Sequence, residues 1–163
     1  MKSKSKSSNS STDNAQETYI PDNTDLEIIE ALKEDGRMTN ASIAKRLSLT
    51  EGAIRARIKN LQSKGVLKIT GLVNPNSIVD HQIVIIGINI KESNLLNEKA
   101  QEISKLEEVL SVSIAAGRYD IFAEIKVSSN HGLIHFLAES LPQVKGIEST
   151  ESFMMLHSIH KWV

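Results

Sequence analysis

Apolar residues recur with helical spacing in the first half of this sequence and crowd into strand-length runs in the second. Leu26, Ile29 and Leu32 share one face of a predicted helix that Asn23 or Thr24 caps and Asp35-Gly36 ends. Thr39 or Asn40 caps a second helix carrying Ile43, Ala44 and Leu47. Ser48-Leu49 makes a turn, and Thr50 caps a third helix with Ile54, Ile58 and Leu61 at i, i+4 and i+7. Gly65 stops that helix, Val66 to Val73 is β-like, and Asn74-Pro75-Asn76 is a turn or linker.

From His81 the pattern changes. His81 to Ile90, Leu110 to Ala116, Ile121 to Val127 and Ser149 to His160 read as strands. Leu95 to Leu106 and Asn130 to Leu141 read as helices, the second closed by Pro142. The order β-α-β-β-α-β is the ferredoxin-like split βαβ pattern. Its strands are apolar on both sides: Ile83 and Ile85 oppose Val84, Ile86 and Ile88, and Phe153 and Met155 oppose Met154 and Leu156. Two helices cover one face of such a sheet, so the other is expected to pack on a second copy. The fold class is therefore α+β: a helix-turn-helix unit (winged-helix-like) over residues 24–70, a β linker over 71–80 and a ferredoxin-like domain over 81–163. Residues 1–23, rich in Ser, Lys and Asn, read as a disordered arm. Its Lys2, Lys4 and Lys6 are either phosphate contacts or plain solvated charges.

Charge sharpens this division. Between Gly36 and Thr70 eight residues are basic (Arg37, Lys45, Arg46, Arg55, Arg57, Lys59, Lys64, Lys68) against Glu51 alone. From Gly71 onwards seven are basic and eleven acidic, so the near-neutral total of −1 conceals a segregated distribution. A basic helix-turn-helix beside an acidic domain is the footprint of a nucleic-acid module joined to something else. The third helix turns Gly52, Ala56 and Lys59 away from its apolar stripe, with Arg55 and Arg57 on opposite flanks. Small residues near its start and basic ones along it suit entry into the major groove of double-stranded DNA. The expected DNA-facing set is Lys45, Arg46, Thr50, Glu51, Gly52, Ala53, Arg55, Ala56, Arg57, Lys59 and Lys68. Arg55 is placed for a guanine edge; Arg57 holds either a phosphate or a carboxylate of a neighbouring helix; Lys45, Arg46, Lys59 and Lys68 are phosphate candidates; Thr50 is first a helix cap.

No cysteine is present, which excludes disulfides and thiolate metal sites, and no run of 18 apolar residues occurs. No apolar core follows the N-terminal lysines, so an intracellular protein without membrane attachment is expected. The histidine pairs His131/His135 and His157/His160 lack matching carboxylate or cysteine spacing, and no metal or cofactor is expected. No nucleophile–base pair or phosphate loop stands out. An enzyme would leave the basic helix-turn-helix unexplained, whereas a packaging protein with little sequence preference is kept open by Gly52 and Ala53.

The sequence resembles the Lrp/AsnC (feast/famine) transcription regulators over about residues 24–161. The matching residues are Asp25-Leu26, Ile28-Ile29 and Leu32; Ile43-Ala44 and Leu47; Ile54, Arg57-Ile58-Lys59, Leu61 and Gly65-Val66-Leu67; Asn74-Pro75; Gly117-Arg118-Tyr119-Asp120, similar to the family's Gly-x-Tyr-Asp turn; and Gly146-Ile147 with Thr150 and Ser152. By that resemblance the second domain is an effector (RAM) domain sensing an amino acid or related metabolite, in dimers that assemble further, commonly to octamers. A cytoplasmic, nucleoid-associated regulator is implied. The effector is expected between dimers, near Ala116, Gly117, Arg118, Tyr119 and Asp120, with Thr150 and Ser152 lining the site. There the turn amides meet the carboxylate and Asp120 the ammonium; Arg118 selects an acidic or amide side chain or pairs with a neighbouring Glu. Gly52 and Ala53 stand where the family often has Ser or Thr, and Ser152 where a second Thr is common.

Overall fold

The computed structural model describes residues 19–78 and 81–163. The predicted arm, with its three lysines, lies outside the described residues as far as residue 18. The described residues up to Gly71 form one compact unit and those from Leu72 a second.

The first unit holds three helices, α1 (Asn23–Glu34), α2 (Asn40–Leu47) and α3 (Glu51–Ser63). The cap of α1 is Asp22, not Asn23 or Thr24: its carboxylate accepts from the Asp25 amide at 2.8 Å, and the Asp25 carboxylate accepts in return from the Asp22 amide. The inward face is correspondingly Asp25, Ile28, Ala31 and Leu32, while Leu26 stays half-exposed. Thr39 caps α2 and Thr50 caps α3, each through the amide three residues on. Between them Ser48 takes a left-handed conformation (φ 55°), which turns the chain sharply between the two helices. Ile28, Ala31, Ile43, Ala44 and Ile54 close into one core. After α3, Gly65 at φ +69° reverses the backbone so that the Val66 and Leu67 amides both reach the Leu61 carbonyl.

The β-like run expected over Val66 to Val73, and the β linker over 71–80, are not strands among the described residues. Among the described residues their apolar side chains meet no partner strand. Val73 exchanges two backbone hydrogen bonds with Val163 at 2.8 and 3.0 Å, and Pro75–Ser77 forms a 3-10 turn.

The second unit is the ferredoxin-like arrangement: β1 (Gln82–Ile90), α4 (Leu96–Ile103), β2 (Val109–Ile114), β3 (Ile121–Val127), α5 (Asn130–His135) and β4 (Ile147–Met154). The sheet is antiparallel throughout, ordered β2-β3-β1-β4. The helix after α5 widens into a π turn at Phe136–Ser140 and tightens at Leu141–Gln143, where Pro142 cannot donate. The last strand stops at Met154, short of His160; beyond it the tail is held by Asn76 donating to the Ser158 carbonyl and by a Lys161–Glu124 ion pair at 2.6 Å.

Strand register sorts the side chains. Val84, Ile86 and Ile88 lie opposite Ile125, Ala123 and Ile121, and with Ile90 they join Ile103, Phe136 and Leu141 in the core under the helices. Ile85 pairs with Glu124 and Phe153, and Gly87 with Phe122 and Glu151, on the other face. Gly87 is required there: a Cβ would stand 2.7 Å from the Tyr119 ring, which lies on the bare backbone.

Candidate nucleic-acid interface and effector turn

On α3 the burial pattern separates an exposed face from the core. Ile54 and Leu61 are fully buried; Glu51, Gly52, Arg55, Ala56, Lys59 and Asn60 are exposed. Gly52 has open space where a side chain would stand, so nothing inside the chain requires glycine there. Thr50 is committed as the cap, leaving the first amides of the helix directed outward beside a small-residue surface.

The basic residues fall into two groups that sequence spacing did not separate. Arg57 is turned inward: its Nη1 donates to Asp22 at 2.7 Å and to Asp25 at 2.8 Å. Asp25 is buried (1% exposed) and also accepts from the Tyr19 hydroxyl at 2.6 Å. Burial alone would push the Asp25 carboxyl up, yet the hydrogen bonds from Tyr19 and Arg57 outweigh it and hold it below the usual carboxylate range. Asp22 is held low as well, first by the Asp25 amide and then by Arg57. The same network raises Tyr19, whose phenol donates to Asp25. Of the two roles open to Arg57, the structure thus gives the carboxylate one. Arg46 is likewise engaged, with a forked contact to Glu34 of α1 at 2.6 and 3.0 Å. Arg55 pairs with Glu51 within the same exposed face of α3. Among the described residues no ion pair engages Lys45, Lys59 or Lys68, and all three are exposed. Asp22, Asp25 and Glu34 are the functional neighbours that sequence reasoning missed; their partners lie 12 to 35 residues away, beyond any local pattern.

In the second unit the sheet divides the expected effector residues. Tyr119 packs edge-to-face on Phe122 and Phe153, at ring distances of 5.6 and 6.0 Å, on the face away from the helices. Arg118 lies over the Tyr119 ring and pairs with Glu151 at 3.3 Å, the neighbouring-Glu alternative. Thr150 and Ser152 lie opposite Ile88 and Ile86 in register, and so project to the helix side. On one chain they do not meet the Tyr119 side chain. Asp120 is already employed: its carboxylate accepts from the Ile90 amide at 2.9 Å and its amide donates to the Ile88 carbonyl. Among the described residues the amides of Ala116 to Tyr119 enter no backbone hydrogen bond, which leaves them open to a ligand. The Tyr119 hydroxyl is buried with no partner among the described residues.

A cavity of about 410 Å³ opens on the helix side, where Thr150 lines it with Lys91, Lys145, Gly146 and Glu148. A larger one of about 550 Å³ lies at the other end of the sheet, among Asn76, His81, Asn130 and His157, and none of the expected site residues line it. Contrary to the expectation that no carboxylate spacing matches, His135 stands 3.4 Å from Glu139, four residues on, and 3.8 Å from Glu108, which is remote in sequence; no group of three or more possible ligands is assembled among the described residues.

Comparison with known proteins places both units. Residues 21–68 match a family described as winged helix-turn-helix DNA-binding, and residues 83–161 match the Lrp/AsnC ligand binding domain. An uncharacterized HTH-type transcriptional regulator of Pyrococcus furiosus is 34% identical over 86% of this chain and 95% of its own length. The regulatory protein AsnC of Escherichia coli K12 is 29% identical over 87% and 94%. Among solved structures, a transcriptional regulator of Neisseria meningitidis in complex with L-Met superimposes with a TM-score of 0.66 at 26% identity, covering 87% of this chain and 94% of that one.

Proposed function

The chain belongs to the Lrp/AsnC family of transcriptional regulators, and from that premise we propose that an amino acid bound to its second unit sets how its first unit engages DNA. It is a DNA-binding regulator of helix-turn-helix type with an effector domain. The observation that carries the DNA half is the exposed face of α3, where Gly52, Arg55, Ala56 and Lys59 stand clear of a core built from Ile54 and Leu61.

The effector is a small zwitterion, held at the turn of residues 116–120. Unpaired turn amides suit its carboxylate, and the L-Met complex of the Neisseria meningitidis regulator supports the ligand class. Because Thr150 and Ser152 open to the opposite side of their own sheet, hydroxyls reaching a ligand at the turn would come from another copy. That supports a site completed between dimers, in an octamer-type assembly. The protein acts without catalysis, on the nucleoid, and no helix among its described residues is long and apolar enough to cross a membrane.

The test is a thermal-shift screen of the full chain against the twenty amino acids, repeated on Asp120→Ala and Thr150→Ala. A ligand specific to the folded state stabilises by about 2.7 kcal/mol at a hundred times its dissociation constant. The reading expects at least one amino acid to shift wild type, with smaller shifts in both variants. No shift with any of the twenty would instead favour DNA binding without an effector.

A further inference from the structure

Glu51 is out of character with its surroundings. It is the sole acidic residue between Gly36 and Thr70, and it is the first residue of α3. Its carboxylate pairs with Arg55 one turn further on, with side chains 49% and 68% exposed. A helix-start charge accounts for an acid in the first turn. It does not account for tying up an exposed cation of the same helix face. Toward phosphates a carboxylate is repelled, so at this position it lowers affinity for DNA in general.

Resting on the reading of α3 as the element that enters DNA, we propose that Glu51 is a specificity-determining residue that reads a G·C pair jointly with Arg55. The guanidinium fork of Arg55 donates to guanine O6 and N7. Its neighbour, the Glu51 carboxylate, accepts from the cytosine N4 amino group. Gly52 and Ala56 beside them carry nothing that would hold the helix off the base edges. An adenine–thymine pair offers a methyl group and a different donor order, so the two tips are not matched there. A phosphate offers acceptors only: it can take the Arg55 guanidinium but repels the Glu51 carboxylate beside it. The pair therefore penalises wrong sites more than the right one, which is how a repulsive element raises specificity.

The experiment selects duplexes from a random library with the full chain. Binding of wild type, Glu51→Ala, Glu51→Gln, Arg55→Ala and the Glu51→Ala/Arg55→Ala double variant is then measured on the best duplex and on a scrambled one, across a salt series. We expect Glu51→Ala to bind scrambled DNA more tightly and to lose about tenfold in the ratio of specific to scrambled binding. Its own library selection should lose preference at the same base pair as that of Arg55→Ala, and the double variant should lose no more than either single one. Glu51→Gln, which keeps an acceptor, should fall between. The inference is overturned if Glu51→Ala strengthens both duplexes by the same factor and enriches an unchanged motif, since Glu51 is then only a helix-start charge. If wild type enriches no motif, site-specific reading and this inference fall together; a wild-type motif preserved in Glu51→Ala sinks the inference alone.

Discussion

Replacing Arg57 with alanine separates a structural arginine from a DNA-reading one. In the structure its guanidinium bridges exposed Asp22 and buried Asp25. The Asp22 contact is largely solvated and contributes little. The Asp25 contact matters more, because that carboxylate is 1% exposed and would lose its one cation among the described residues while staying buried. Breaking a fully buried pair costs about 3–5 kcal/mol. Here Arg57 is itself 36% exposed, and Asp25 keeps the Tyr19 hydroxyl and the Asp22 amide. A loss of about 2 kcal/mol is therefore expected, within the range for one charge-assisted hydrogen bond. For a unit of this size that lowers the midpoint of thermal unfolding by about 8–16 °C. Circular dichroism of the full chain reads the unfolding, and fluorescence anisotropy at a temperature where the variant remains folded reads DNA binding. The account expects a lowered midpoint with DNA affinity within about twofold of wild type. An unchanged midpoint, with affinity down tenfold or more and the salt slope reduced by about one ion, would refute it and return Arg57 to the phosphates.

The same network sets a pH window. Asp22 and Asp25 titrate below their ordinary range, so the stability they contribute is present above it and lost as pH falls through their folded values; Tyr19 titrates above its ordinary value, so its share is lost as pH rises through that higher value. Urea midpoints of the first unit should hold steady from about pH 5 to pH 9 and fall on both sides, with a shallower acid limb in Asp25→Asn. Gly87→Ala should destabilise the second unit by about 1–3 kcal/mol, since its Cβ would meet the Tyr119 ring at 2.7 Å; calorimetry showing no change would mean the ring moves freely. Gly52→Ala should raise the thermal midpoint of the first unit by the equivalent of about 0.5–1 kcal/mol, because nothing lies within 4 Å of the new methyl, while weakening DNA binding. Gains in both readouts would mean that the start of α3 does not seat closely on DNA.

The architecture was legible in the sequence wherever one pattern dominates locally. β3 was read at its true limits, Ile121–Val127, because its inward positions are uniformly apolar and turns bound it on both sides. The inward face of α1 was misread because Leu26 looks apolar and Asp25 does not, and the reason Asp25 is buried stands 32 residues away at Arg57. For the same cause, Arg46 and Arg57 could not be told from phosphate-seeking arginines by spacing alone. The linker carries strand-like residues but, among the described residues, meets no edge beyond Val163, and β propensity without a partner makes no ladder. The family resemblance puts Thr150 and Ser152 with Tyr119 in a site shared between dimers, and the order along the chain does not say which face of their own sheet they take. Which face they take depends on pairing with Ile88 and Ile86, which is settled only once β4 lies beside β1.

The central claim, that ligand occupancy of the second unit governs DNA binding by the first, is tested most directly by one titration. A duplex selected by the full chain is bound at fixed salt with and without each of the twenty amino acids, and the dissociation constants are compared. Coupling between two sites of a regulator is typically about 1–3 kcal/mol, so at least one amino acid should change the affinity by fivefold or more, in either direction. An affinity that stays constant in the presence of all twenty, on a duplex the protein demonstrably prefers, would contradict the account and leave a DNA-binding protein that does not listen to amino acids.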